Sequence, residues 1–166
     1  MINNEKLLST ARRTGYKIKY VLHPILTSQA KDFTSNSEVE VLPAVDISYE
    51  ALLTQSSLMV TDYSGVQFDF AYMKKPIVYF HPSQLPAHYE DGCFFYDTMG
   101  FGEICTESEQ LVELLCEYME NNCVMKPEYV ARVEDFYHYD DHDNCRRIYE
   151  QVHEFQKQVD IDKLKN

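Results

Sequence analysis

The run Val60-Thr61-Asp62-Tyr63-Ser64-Gly65-Val66-Gln67-Phe68-Asp69-Phe70 holds the side chains best placed for chemistry in this 166-residue chain. A short apolar stretch of strand type enters a Ser-Gly turn and leaves it as a helix. Such a turn offers backbone N–H groups and the positive end of a helix to an anion. Ser64 can donate its hydroxyl to a phosphate oxygen, and Gly65 lets a phosphate approach the backbone closely. An ordinary reading competes, because Ser64 with Gln67 three residues later is also a capping box. Asp62, at the strand's carboxyl end, can orient a ligand hydroxyl or fix the turn. Asp69 lies among Phe68, Phe70 and Ala71, where a carboxylate calls for a partner such as the amides of a neighbouring loop.

His23, followed by Pro24, closes another strand candidate. A histidine there can bind phosphate, act as acid or base near neutral pH, or simply cap the strand through a hydrogen bond. His81 and His88 fall in a loop that could cover a ligand, without metal-ligand spacing. His138, His142 and His153 mix with Asp140, Asp141 and Asp143, again without a recognised ligand pattern.

The elements that must position these residues follow from pattern. Residues 5–13 read as a short polar helix, and Tyr16 to Leu22 as a strand stopped by His23-Pro24. Residues 27–38 read as loop, and Val39 to Val45 as a second strand. Asp46 can cap a helix over 47–56 with Leu52 and Leu53 inward. Leu58 to Thr61 and Ile77 to Phe80 are apolar runs of strands buried on both faces. Val66 to Met73 is helical between them. After a long aromatic loop over 81–102, Ile104 and Cys105 form a last strand. Thr106 with Glu109 predicts a capping box opening a helix striped by Leu111, Leu114, Leu115, Tyr118 and Met119. Pro127 starts a helix to about Phe136, and a closing helix presents Ile148, Val152, Phe155 and Val159 on one face. Strands alternating with helices predict an α/β protein: a three-layer, Rossmann-like parallel sheet, with ligands beyond the carboxyl ends of the strands. The predicted division is a helical lead-in over 1–15, one α/β domain over 16–158, and a polar tail over 159–166.

Composition narrows the function classes. The chain is 45% hydrophobic and 13% aromatic, which excludes a disordered coil. Net charge is −12, with eight basic and eight acidic residues in 1–85 but seven against nineteen in 86–166. That acidic second half argues against nucleic-acid binding and against an anionic lipid surface for those residues. Five cysteines without a C-x-x-C pair fit packed, reduced thiols better than a disulfide framework or zinc. Neither G-x-G-x-x-G nor a P-loop sequence is present.

In order along the chain stand His23-Pro24, Asp46-Ile47 with Leu52-Leu53, Thr61-Asp62-Tyr63-Ser64 with Phe68-Asp69-Phe70, and Lys75-Pro76. His88-Tyr89 before Gly92, Gly100-Phe101-Gly102, Lys126-Pro127-Glu128-Tyr129, Arg132, Phe136, Asp141 and Arg146 to Ile148 continue the order. Over about residues 16–155 this series resembles the CDP-glycerol glycerophosphotransferase family, the teichoic-acid polymerases and primases of Gram-positive cell walls. The resemblance implies the C-terminal, donor-binding half of a glycosyltransferase-B fold. It implies a CDP-glycerol or CDP-ribitol donor, transfer of polyol phosphate to a hydroxyl of a growing wall or capsular polymer, and release of CMP. It implies no cofactor and assigns no metal ligands; the fold class generally manages without a metal.

By the same resemblance His23 is the catalytic contact to the donor phosphates, and Ser64 with Gly65 cradles the pyrophosphate. Asp62 and Asp69 support that loop, and Arg146 makes either a donor contact or a salt bridge. The family's second serine is Gly65 here, and its Asp-Gly pair reads Asp141-His142. The family's N-terminal half, which carries the acceptor site and another catalytic histidine, has no counterpart in these residues. The expectation is therefore weak donor binding without transfer by this chain, from an excised piece or a remnant. The full-length protein is expected in the cytoplasm, peripherally at the inner face of the membrane. The competing expectation is a degenerate glycosyltransferase-B-like domain serving as a non-catalytic interaction module.

Overall fold

Among the described residues, five short strands rich in β-branched and aromatic residues pair in parallel. β1 (Ile18–Leu22) lies beside β2 (Val39–Pro43), with Ile18 opposite Val39 and Leu22 opposite Pro43. β4 (Ile77–Phe80) is the centre of a second ladder, flanked by β3 (Met59–Thr61) and β5 (Gly102–Cys105). The computed structural model describes residues 1–43, 47–84 and 94–164. Seven α-helices stand among those residues: α1 (Glu5–Thr14), α2 (Tyr49–Gln55), α3 (Val66–Tyr72), α4 (Tyr96–Met99), α5 (Ser108–Glu120), α6 (Pro127–Phe136) and α7 (Asn144–Leu164). The chain divides into two units, Met1–Val133 and Glu134–Asn166.

Within the first unit, β4 shows why helices must lie on both faces of its ladder. Successive side chains of a strand point to opposite faces. Val78, with Cys105 of β5, packs against Leu7 and Ala11 of α1 and against Leu111, Leu115, Cys116 and Met119 of α5. Tyr79, on the other face, reaches Gln67 of α3 through its hydroxyl and meets the Tyr96 ring of α4. Helix, sheet, helix is the three-layer, Rossmann-like α/β arrangement that the alternation predicts. α1 begins where the Asn4 side chain accepts hydrogen bonds from the Lys6 and Leu7 amides, and ends at Gly15, which is left-handed at φ 80°. Lys6 pairs with Glu113 and Arg13 with Glu120, tying α1 to α5 along their exposed edge. Cys105, Cys116 and Cys123 are buried free thiols, as packed cysteines should be, whereas Cys145 is exposed. No helix among the described residues is long and apolar enough to cross a membrane.

Several local expectations are corrected. Residues Pro24–Asp32 form a 3-10 helix where loop was predicted, started by Leu26 N–H donating to the His23 carbonyl. α2 is capped by Ser48, whose hydroxyl accepts from Ala51 N–H at 3.2 Å; Asp46 lies outside the described residues. β3 is an edge strand of its ladder, so Val60 is 38% exposed and not buried on both faces. The Thr106–Glu109 box does not form. Cys105 is still held in the ladder by His81 N–H, which delays the helix and makes Glu107 the N-cap, without a side-chain cap bond. On α7, Ile148, Val152 and Phe155 share the predicted face and are exposed.

Candidate functional site

β3 ends at Thr61, and the next four residues turn the chain into α3. Gly65 is the N-cap, in right-handed helical conformation at φ −64° and ψ −22°, with no side-chain cap bond. The Ser64–Gln67 capping box is therefore not made. Gln67 is instead drawn into the core, only 1% exposed, where Tyr79 donates its hydroxyl to Oε1 at 2.6 Å. The Gln67 and Phe68 amides close the turn on the carbonyls of Ser64 and Gly65, at 3.3 and 3.2 Å. Among the described residues, the Ser64 hydroxyl makes no hydrogen bond, and the amides of Gly65 and Val66 donate to no carbonyl of the turn.

A Cβ built on Gly65 would meet nothing within 4 Å, so the space before the turn is open. Its backbone does not require glycine either. Gly65→Ser should thus fold with stability within about 0.5 kcal/mol of the parent, since serine and glycine differ by tenths at an N-cap. Thermal unfolding checks this, and a loss of several degrees would contradict the open space.

An aromatic shell backs the turn. Tyr63 stacks on the ring of His81 at 4.2 Å and 9°, and Tyr96 stands edge-on to both. His81 Nε2 lies 3.2 Å from the Asp62 carbonyl oxygen. The Tyr79 hydroxyl also accepts from Phe101 N–H at 3.1 Å, and Gln67 Nε2 donates to the Tyr96 hydroxyl at 3.3 Å. The histidine at the turn is therefore His81. Pattern alone assigns it to the covering loop; the signal that marks it is its place at the carboxyl end of β4, next to the strand that leads to Asp62.

His23 sits at the carboxyl end of β1, in the other ladder, and is exposed. Its Nδ1 accepts from Ile25 N–H at 3.3 Å, so in the neutral ring Nε2 carries the proton and faces outward. Asp62 and Asp69 are both exposed, so the Asp69 carboxylate, despite its apolar sequence neighbours, is not buried and does not require the loop amides expected for it. Ser64, Gly65, Asp62 and Asp69 thus share one strand–turn–helix element, while His23 belongs to another.

In the second unit, Arg146 is in ion pairs with Asp143 at 2.7 Å and Glu150 at 3.7 Å. Arg147 is the more structured arginine, bidentate to Asp141 at 2.7 and 3.0 Å and lying over the Tyr139 ring. The Asp141 carboxylate also accepts from Asp143 N–H, and with Arg147 this holds its pKa at about 2. Because the folded value lies below the ordinary one near 4, the stabilisation is complete above about pH 4. It is lost as pH falls through about 2. Carboxyl carbon shifts followed by NMR should give that titration for Asp141, and a midpoint moved up toward the ordinary value, though held below it by Asp143 N–H, in Arg147→Gln. Among the described residues no three His, Cys, Asp or Glu side chains converge as a metal site requires.

Comparison with known proteins accords with the order of motifs. The model of the family described as CDP-Glycerol:Poly(glycerophosphate) glycerophosphotransferase matches residues 1–154. The minor teichoic acid biosynthesis protein GgaB of Bacillus subtilis is 37% identical over 152 residues, covering 92% of this chain and 17% of that protein. The teichoic acid glycerol-phosphate primase of Bacillus spizizenii is 34% identical over 80 residues, covering 46% of this chain and 20% of the primase. The chain therefore spans about a fifth or less of the length of these relatives. No solved structure matches it.

Proposed function

The chain belongs to the CDP-glycerol:poly(glycerophosphate) glycerophosphotransferase family, and from that premise we propose that it is the donor-binding half of a teichoic-acid-type polyol-phosphate transferase. The donor is CDP-glycerol or CDP-ribitol. The observation that supports this most is the turn itself: Ser64 has an uncommitted hydroxyl, and Gly65 faces open space. A diphosphate needs both features, a donor for a non-bridging oxygen and a backbone it can approach closely.

In the reaction, an acceptor hydroxyl oxygen attacks the β-phosphorus in line. The new P–O bond forms as the bond from that phosphorus to the bridging oxygen breaks, and CMP leaves with the electron pair. The acceptor proton passes to a base on the acceptor side. The contribution of this half is electrostatic: hydrogen bonds to phosphate oxygens where charge accumulates. Ser64 supplies one through its hydroxyl, and the Gly65 and Val66 amides supply two more. His23 supplies another through Nε2–H, the atom left outward by its bond to Ile25. Asp62 and Asp69 are carboxylates, so their place is at the polyol hydroxyls or the turn, away from the phosphates. Arg146 would reach a donor only by leaving Asp143 and Glu150.

Calorimetric titration of the chain with CDP-glycerol, CDP-ribitol, CMP and UDP-glucose tests this reading. Saturable binding of a CDP-alcohol, weakened by both Ser64→Ala and His23→Ala, is the expected result. No binding of any cytidine nucleotide up to about 1 mM would reduce the domain to an interaction module of the same ancestry.

A further inference from the structure

His81 is the first residue beyond β4, and its placement is determined from several sides. Its backbone N–H donates to the Cys105 carbonyl at 2.8 Å, extending the β4–β5 ladder by one residue. Its ring Nε2 stands 3.2 Å from the Asp62 carbonyl oxygen. A carbonyl only accepts, so Nε2 carries the proton. One ring face lies on Tyr63 at 4.2 Å, and Tyr96 meets the ring edge-on at 4.8 Å and 89°. Two consecutive residues of the turn, Asp62 by its main chain and Tyr63 by its ring, therefore rest on one side chain from the neighbouring strand. The next two residues are Ser64 and Gly65.

Ser64 and Gly65 themselves are held by little else among the described residues. Among the described residues the side chains of Asp62 and Ser64 make no hydrogen bond, and Gly65 touches nothing in front of it. Among the described residues, the hydrogen bonds to Ser64 and Gly65 are the two closures from Gln67 and Phe68, at 3.3 and 3.2 Å. A site that must present a hydroxyl and two amides together loses affinity when they wander, because binding then includes the cost of ordering them.

We propose that His81 is the positioning residue of the Asp62–Gly65 turn, acting through the Asp62 carbonyl and the Tyr63 ring and touching no ligand itself. The inference rests on the reading of this turn as the donor site and deepens it. His23 is a contact residue and His81 a brace, so the two histidines differ in role.

Three forms of the chain test it: the parent, His81→Ala, and His81→Gln, whose side-chain N–H stands the same number of bonds from Cα as histidine Nε2–H. Amide hydrogen exchange of the free chain is read at Gln67 and Phe68, which close the turn, against Leu115 and Cys116 in the α5 core. His81→Ala should speed exchange at Gln67 and Phe68 by about tenfold, leave α5 unchanged, and weaken CDP-glycerol binding by a similar factor. His81→Gln should recover most of both effects.

Unchanged exchange at Gln67 and Phe68 would overturn the proposal. Equal acceleration in α5 would do so too, by making His81 a residue of general stability. So would a His81→Gln chain that behaves as His81→Ala does. If the parent binds no cytidine nucleotide, the donor reading fails separately, while the exchange measurement still decides whether His81 holds the turn.

Discussion

Gly102→Ala is expected to cost more than about 3 kcal/mol, enough to leave a marginal domain largely unfolded at 37 °C. Gly102 opens β5 directly opposite Ile77 of β4. A Cβ there would stand 1.7 Å from the Ile77 carbonyl oxygen and 2.6 Å from its carbon. Both are backbone atoms in the centre of the ladder, so no rotamer change relieves the overlap. Either the β4–β5 spacing opens, breaking parallel hydrogen bonds, or β5 slips by a residue and reverses which side chains face α5. Urea denaturation should show the midpoint collapse, with Gly65→Ala as the control because its Cβ meets nothing within 4 Å. A Gly102→Ala chain with a parental midpoint would mean that the β4–β5 register is wrong.

The ordered motif contains Gly100-Phe101-Gly102, yet pattern alone does not say why both ends are glycine. The reason exists only in three dimensions: Gly102 opposes Ile77, and a Cβ on Gly100 would stand 2.2 Å from the Tyr96 carbonyl oxygen. Strands and helices were legible where periodicity is long, as in α5, whose Leu111, Leu115, Tyr118 and Met119 are all buried. The edge position of β3 was not legible, because a three-residue strand reads the same at an edge or in the middle. The strand–turn–helix carrying Asp62, Ser64 and Gly65 was placed correctly by its apolar run and its Ser-Gly pair. What failed there was local chemistry. Ser64 and Gln67 have capping-box spacing, but the Tyr79 hydroxyl competes for Gln67 from the core and wins, since a buried amide must be satisfied. His81 was missed for a related reason: its partner Asp62 is nineteen residues away, and only strand pairing brings them together.

Tyr79→Phe carries the second large expected effect, and it links the core to the turn. The Tyr79 hydroxyl donates to Gln67 Oε1 at 2.6 Å and accepts from Phe101 N–H at 3.1 Å, with Tyr79 and Phe101 fully buried and Gln67 nearly so. Deleting one oxygen removes a bond from two buried groups, each worth about 1–3 kcal/mol when its partner is lost. A loss of about 2–4 kcal/mol in urea denaturation is expected. Adding Gln67→Met should cost less than the sum of the two single changes, because the second removes a polar group that the first has stranded. Strict additivity would mean that the hydroxyl and the amide do not act as a pair. The same variants bear on binding, since Gln67 is three residues past Ser64 and its core bond is what keeps it out of the capping box. If Gln67 in Tyr79→Phe swings back into the box, its side-chain oxygen takes the Ser64 backbone N–H and the Ser64 hydroxyl accepts from Gln67 N–H, which turns the hydroxyl toward the helix and away from a ligand. CDP-glycerol affinity should then fall even in the fraction that remains folded. Stability and donor recognition would thus be joined at one phenolic oxygen, which a titration below the unfolding temperature can separate from simple loss of native protein.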